Sequence, residues 1–181
     1  ERTRELEQAN RSLHELAVRD ALTGLYNRRH FNEVVQQELA RARRQETPIA
    51  LLLLDLDLFK KLNDLSGHQA GDKALEHIGR LLSGFARRSI DQSFRIGGEE
   101  FAVLAPIADV ANVDRWAEQL RQQIEAAAWP HPGSPHGHLT ASIGVAVSSP
   151  GDTLESFYSR TDKALYQAKQ AGRNCVVLAS D

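Results

Sequence analysis

The 181-residue sequence has no methionine and a single cysteine, Cys175. One cysteine excludes an internal disulfide and fits a reducing, cytoplasmic setting. A chain that opens on Glu1 and lacks methionine is expected to be a piece of a longer protein, with an upstream sensor or membrane domain outside it. No apolar run approaches the roughly 18 residues of a membrane span, and no secretory signal opens the sequence. An excess of either charge is missing too. Twenty-two basic against 24 acidic residues leave no global field of the kind that recruits nucleic acid. A nucleotide substrate stays admissible, because it needs only local positive groups. Hydrophobic residues make up 41%, enough for one good core plus an appendage, and there is no internal repeat.

What is present is best read along the chain. Residues 1–19 are charged and free of Gly and Pro. Leu6 and Leu13 stand seven apart, with Ala9 and Leu16 three residues after each, an a/d seam of barely two heptads. We expect the end of a dimerising signalling helix here, the alternative being a lone amphipathic helix docked on the domain. Asp20 to Asn27 breaks that helix. Asn27 can cap the next one, with Phe31, Val34, Val35 and Leu39 on its buried face and Arg41, Arg43 and Arg44 near its end. After Pro48, Ile49 to Leu54 is an uninterrupted apolar run, which predicts a strand buried on both faces. It stops at Asp55-Leu56-Asp57. A carboxylate at the end of a central strand is costly unless something positive meets it, so Asp55 is a metal-binding or catalytic candidate. Asp57 is assigned as the cap of the following helix.

Leu58 to Asn63 predicts one or two helical turns whose first amides can hold phosphate oxygens. Gly67 to Asp72 reads as a loop, and Ala74 to Phe85 as a helix burying Leu75, Ile78, Leu81 and Leu82. In Arg95-Ile-Gly-Gly-Glu-Glu-Phe101, two apolar runs meet at a Gly-Gly step, a hairpin in which glycine is expected to supply left-handed φ values. Glu99 and Glu100 sit where the second strand begins, beside unshielded backbone. That suits a hairpin tip offering carboxylates to a metal, although a solvated acidic turn would look the same. Further on, Val110 to Ala128 is amphipathic, and Pro130 to His138 is a Pro/Gly/His-rich loop. Its histidines, His131, His136 and His138, lack the spacing of a zinc site. Leu139 to Val147 alternates as a strand containing Gly144, Leu154 to Ala171 is helical, and Cys175 to Leu178 is a short strand. This order predicts an α/β (α+β) fold, a mixed sheet with helices packed on it.

Six separated stretches then resemble one family. They are Asp-x-Leu-Thr-Gly-Leu-x-Asn-Arg-Arg at 20–29, Asp-Leu-Asp-Leu-Phe-Lys-Lys-Leu-Asn-Asp at 55–64, Gly-His-Gln-Ala-Gly-Asp at 67–72, Gly-Gly-Glu-Glu-Phe at 97–101, Ser-Ile-Gly-Val-Ala at 142–146, and Asp162 to Lys169 with Gly-Arg-Asn at 172–174. In this order they resemble the GGDEF domain of diguanylate cyclases in its GGEEF variant, over about residues 20–178. The resemblance implies a largely antiparallel central sheet like that of the polymerase palm and the adenylyl cyclase core. Residues 1–19 would then be a linker helix and 20–181 the catalytic domain.

The resemblance further implies GTP bound with Mg²⁺ or Mn²⁺, two ions per nucleotide, on Asp55, Glu99 and the carbonyl of Leu56. Glu100 would lie near them, either binding an ion or positioning the nucleophile. Asn63 and Asp72 would read the guanine edge, and an amide plus a carboxylate suits its donors and acceptor. The phosphates would lie over the amides of Leu58, Phe59 and Lys60. Lys169 and Arg173, expected one helical turn apart on one face, would add positive charge. The implied reaction condenses two GTP into cyclic di-GMP and two pyrophosphates. Each domain holds one GTP, so a homodimer is required, and neither nucleic acid nor, for this piece, a membrane is a partner. Arg88-Ser-Ile-Asp91, five residues before Gly97, matches the family's product-binding inhibitory site. Ser66 replaces a usual aromatic and Thr161 a usual alanine. The alternative is a catalytically silent receptor that only binds cyclic di-GMP; silent relatives usually lose signature acids or guanine contacts, all of which this chain retains, and Asp72 argues against a mixed dinucleotide product.

Overall fold

An eight-residue strand, β1 (Ile49–Leu56), is the axis of the fold, and every residue in it except Asp55 is buried. The computed structural model describes residues 2–4, 15, 17–86 and 91–180. The leading seam at Leu6, Ala9, Leu13 and Leu16 therefore lies outside the described residues, as does Arg88. Ahead of β1 runs α1 (Arg28–Gln45), capped as expected by the Asn27 side chain, which accepts from His30 N–H at 3.0 Å. After β1 come α2 (Phe59–Ser66), α3 (His68–Phe85), β2 (Gln92–Arg95), β3 (Glu100–Pro106), a 3₁₀ turn (Val110–Asn112), α4 (Val113–Ala126), β4 (Ala141–Val147), α5 (Leu154–Gln170) and β5 (Val176–Leu178). The sheet order is β2-β3-β1-β4-β5, antiparallel at every junction except β4–β5. The mixed, largely antiparallel sheet expected from the sequence is the one present.

Alternation along β1 divides the core. Ala50, Leu52, Leu54 and Leu56 pack with Phe59 and Leu62 of α2, Leu75 and Ile78 of α3, and Leu120 and Ile124 of α4. Ile49, Leu51 and Leu53 pack with Phe31, Val35 and Leu39 of α1 and Phe157 and Leu165 of α5. This period-2 division makes an α/β/α sandwich with Asp55 on the α1–α5 side. None of the described helices is long and apolar enough to cross a membrane.

Two expectations are corrected. The segment 67–72 is not a loop. Gly67 alone turns the corner, with φ of 87°, and α3 starts at His68. Gly71 is helical, and its glycine is required by packing, because a Cβ there would stand 1.9 Å from Asn63 Oδ1. The helix read over 110–128 is divided by the 3₁₀ turn, where the Asp109 side chain accepts from Ala111 N–H and starts the chain again at Val113.

Gly144 decides how α5 lies on the sheet. A Cβ at this position would stand 2.2 Å from Leu165 N and 2.4 Å from Thr161 O. Its absence lets the backbone of α5 rest directly on β4, and that approach brings the last turn of α5 over the end of β1. Thr161, fully buried at this contact, satisfies its hydroxyl on the Phe157 carbonyl at 2.8 Å.

Candidate active site

The end of β1 is joined to the Gly-Gly turn by sheet register. Asp55 lies opposite Glu100 of β3 and Ser142 of β4, and Leu56 N–H donates to the Glu99 carbonyl at 3.2 Å. The turn closes through Ile96 N–H to the Glu100 carbonyl at 2.9 Å. Contrary to expectation, neither Gly97 nor Gly98 has a left-handed φ. Their use is spatial. A Cβ on Gly97 would meet Glu100 Oε2 at 2.6 Å, while Gly98 has nothing within 4 Å and leaves its backbone open to a ligand. Arg95 fastens this turn from behind. Its guanidinium donates to the carbonyls of Gly97 and Gly98 (Nη2 to Gly98 O at 2.9 Å) and to both carboxylate oxygens of Asp20. Sequence reasoning missed the Asp20–Arg95 pair, whose only signal was one opposite charge in each of two motif stretches.

Asp55 is 13% exposed, and its Oδ2 lies 2.9 Å from Lys169 Nζ. Burial pushes its carboxyl up to about 6, against the pull of Lys169 and with further upward pressure from Glu99 and Glu100. Among the described residues no three acidic, His or Cys side chains converge as a preformed metal cluster. The donor set nonetheless fits a hard cation: carboxylates brought together from the end of β1 and the turn before β3, with one ammonium, Lys169, in contact with Asp55.

Asp57 is not a helix cap. It is 5% exposed and accepts from Thr140 Oγ1 at 2.7 Å, Ser142 Oγ at 2.6 Å and Asn174 N–H at 3.0 Å. Three donors from distant segments outcompete a local cap. The N-cap of α2 is instead Leu58, left-handed at φ 56° and with no side-chain cap, so the amides of Phe59 and Lys60 open a helix that no side chain covers. Phe59 is buried and Lys60 exposed.

Asn63 on α2 and Asp72 on α3 flank the Gly67 corner. Asn63 Oδ1 is buried with no hydrogen-bond partner, and Gly71 lies against it. Lys169 and Arg173 do not share a helix face, because α5 ends at Gln170. Arg173 is exposed on a turn where Gly172, Arg173 and Asn174 have φ of 112°, 67° and 45°. The Asn174 side chain holds that turn, accepting from Arg121 Nη1 at 2.6 Å and donating to Glu125 Oε1 at 3.0 Å. Asp91 is half-buried immediately before β2.

Comparison with known proteins decides the family. The model of the diguanylate cyclase GGDEF domain matches residues 17–175. This chain belongs to the GGDEF family. The GGDEF chain is 40% identical over 163 residues to the diguanylate cyclase DgcS of Shewanella oneidensis, covering 90% of itself and 53% of that protein. It is 42% identical over 172 residues to the response regulator PleD of Caulobacter vibrioides, covering 90% of itself and 36% of PleD. It thus spans about half or less of these curated relatives. Among solved structures, the coiled coil and GGDEF domain of DgcB from Caulobacter crescentus, in complex with c-di-GMP, superposes with a TM-score of 0.90 at 30% identity, covering 98% of this chain and 94% of that one. The active GGEEF domain of a diguanylate cyclase from Vibrio cholerae superposes with a TM-score of 0.75 at 33% identity, covering 87% and 99%.

Proposed function

We propose that this GGDEF domain is one half of a diguanylate cyclase that condenses two GTP into cyclic di-GMP and two pyrophosphates. The observation that carries the reading is the register placing Asp55 opposite Glu100, with Glu99 laced to Leu56, so that acids from two strands meet at one end of the sheet. Asp55, Glu99 and the Leu56 carbonyl hold the divalent cation, and Glu100 lies beside them. Bound there, Mg²⁺ or Mn²⁺, two ions per nucleotide, supplies polarisation of the phosphoryl oxygens and a lowered pKa for the attacking hydroxyl.

The chain's own groups do the binding. Guanine enters the notch between α2 and α3, where the unpartnered Asn63 Oδ1 and the Asp72 carboxylate face its edge. The triphosphate lies over the amides of Leu58, Phe59 and Lys60 at the uncapped start of α2, where the helix dipole favours negative charge. Lys169 and Arg173 supply counter-charge, and Lys169 is already drawn to this pocket by Asp55. In the reaction the 3′-oxygen of one GTP forms a bond to the α-phosphorus of the other, its proton departs, and the bond to pyrophosphate breaks.

Each domain presents one nucleotide, so two copies must face each other. A helix over residues 1–19, as expected from the sequence, would bring them together and raise their effective concentration. Arg88 and Asp91 are the pair we assign to inhibition by product. The test is incubation of the purified chain with GTP and Mg²⁺ and chromatography of the products. Cyclic di-GMP is expected from the parent, and loss of nearly all turnover from Glu99→Gln. A dimeric parent that binds cyclic di-GMP yet makes none would overturn the reading in favour of a receptor. Equal turnover by Glu99→Gln would overturn the assignment of the acids.

A further inference from the structure

His131 is fully buried in the loop after α4, and its partners distinguish its two ring nitrogens. Its Nδ1 accepts from Gly133 N–H at 3.1 Å, so in the neutral ring the proton is on Nε2, which donates to the Leu58 carbonyl at 3.0 Å. That carbonyl is the N-cap carbonyl of α2, and it also accepts from Leu62 N–H at 3.2 Å. A leucine at φ 56° is held against roughly 1–2 kcal/mol of steric preference, which requires surroundings that over-determine it.

We infer that His131 is a positioning residue for the nucleotide phosphates, acting through the Leu58–Phe59 peptide. The inference rests on the cyclase reading given above. A peptide unit is rigid and planar, and its C=O and N–H point in opposite directions. An imidazole that fixes the Leu58 carbonyl on one side of the chain therefore fixes the direction of the Phe59 N–H on the other. That amide opens α2 and is among those assigned to the phosphates. The Leu56–Asp57 peptide, two units earlier, is tied as well, by Asp57 N–H to the Thr140 carbonyl at 2.9 Å. The rest of the loop braces this arrangement from outside. His131 N–H donates to the Gly137 carbonyl and Ser134 N–H to the His131 carbonyl, each at 3.1 Å. Gly133 lies flat on α2, where a Cβ would stand 3.0 Å from Lys61 Cβ and 3.1 Å from Leu65 Cδ1.

Two substitutions separate the roles of the two ring nitrogens. His131→Gln keeps an N–H donor at the reach of Nε2 and gives up the acceptor for Gly133. His131→Asn keeps an acceptor near the position of Nδ1 and cannot reach Leu58. Affinity for α,β-methylene-GTP with Mg²⁺ is measured by calorimetry, beside the melting temperature and the kcat and KM for GTP. The inference expects His131→Asn to bind the analogue about five- to tenfold more weakly, the equivalent of one hydrogen bond. KM should rise by a similar factor, with a smaller change in kcat, and His131→Gln should recover most of the affinity. A purely structural role predicts the reverse ranking, with His131→Asn benign and His131→Gln impaired, or a loss in both that follows melting temperature alone. Either result overturns the inference. A parent chain that binds no analogue overturns the cyclase reading and this inference with it. A parent that binds, alongside a His131→Asn protein that binds equally well, overturns the inference alone.

Discussion

Substituting Gly144 by alanine sets local preference against packing. Glycine inside a strand is usually unfavourable, and alanine there would ordinarily return about 0.5–1 kcal/mol. The structure reverses the sign. The added Cβ would stand 2.2 Å from Leu165 N, 2.4 Å from Thr161 O and 2.8 Å from Leu165 Cα, all backbone atoms of one helix, so no rotamer change relieves the clash. Ordinary contact returns only if α5 lifts by roughly 1 Å, and overpacking of this kind costs about 1–3 kcal/mol even where side chains can yield. The lift also loosens the seating of Phe157, Ala164, Leu165 and Ala168, all buried on that helix. We therefore expect a net loss of about 2 kcal/mol or more in urea unfolding followed by circular dichroism. Gly84→Ala is the control. It lies in α3 with nothing within 4 Å of an added Cβ, and should gain up to about 1 kcal/mol from helix propensity. Because α5 carries Lys169 to Asp55, Gly144→Ala should also lose turnover at temperatures where it remains folded. A Gly144→Ala protein as stable as its parent would refute the claim that α5 rests backbone-to-backbone on β4.

Asn63→Ala should raise the KM for GTP by roughly one to two orders of magnitude, since a buried acceptor matched to the base is lost. Asp72→Asn should narrow the preference for GTP over ATP in the same assay, and an unchanged ratio would remove these residues from base recognition. Arg88→Ala should relieve inhibition by cyclic di-GMP in initial-rate measurements while leaving the uninhibited rate in place. Acid should destabilise the fold through two carboxylates. Burial alone would raise Asp20, but hydrogen bonds from Thr23 and Arg95 outweigh it; Asp152 is likewise held low by Ser149, Ser156 and Arg160. Groups depressed below their ordinary 3.8 contribute fully above that value and lose the contribution as pH falls from it through their lower folded values. Asp55 has the opposite sign, its ionisation costing stability as pH rises towards about 6. Melting temperatures between pH 6 and pH 2.5 should therefore fall more steeply in the Asp55→Asn protein than in the same protein carrying Asp152→Asn as well.

The features legible in the sequence are those decided by neighbours along the chain. The apolar run of β1, the Asn27 cap and the amphipathic stripes of α1 and α4 are each settled within a few residues, and each is present in the structure. Asp55 was legible for a related reason, since a charge at the end of a strand buried on both faces demands a partner wherever that partner comes from. What could not be read is decided by contacts between segments far apart. Asp57 has the local signature of a cap, yet Thr140, Ser142 and Asn174 reach it from 83, 85 and 117 residues away, and three donors outweigh one. Gly71 looked like a loop residue because its use lies in the space beside Asn63, and Gly97 was expected to supply a left-handed φ when its use is the space beside Glu100. Arg173 seemed continuous with α5, whereas Asn174 and Asp57 pull the chain into a left-handed turn before another helical turn can form. The errors share a direction. Each assigned a residue to its nearest neighbours in sequence when its partners belong to the site, so the residues that local reasoning misplaced fall chiefly around the proposed nucleotide pocket.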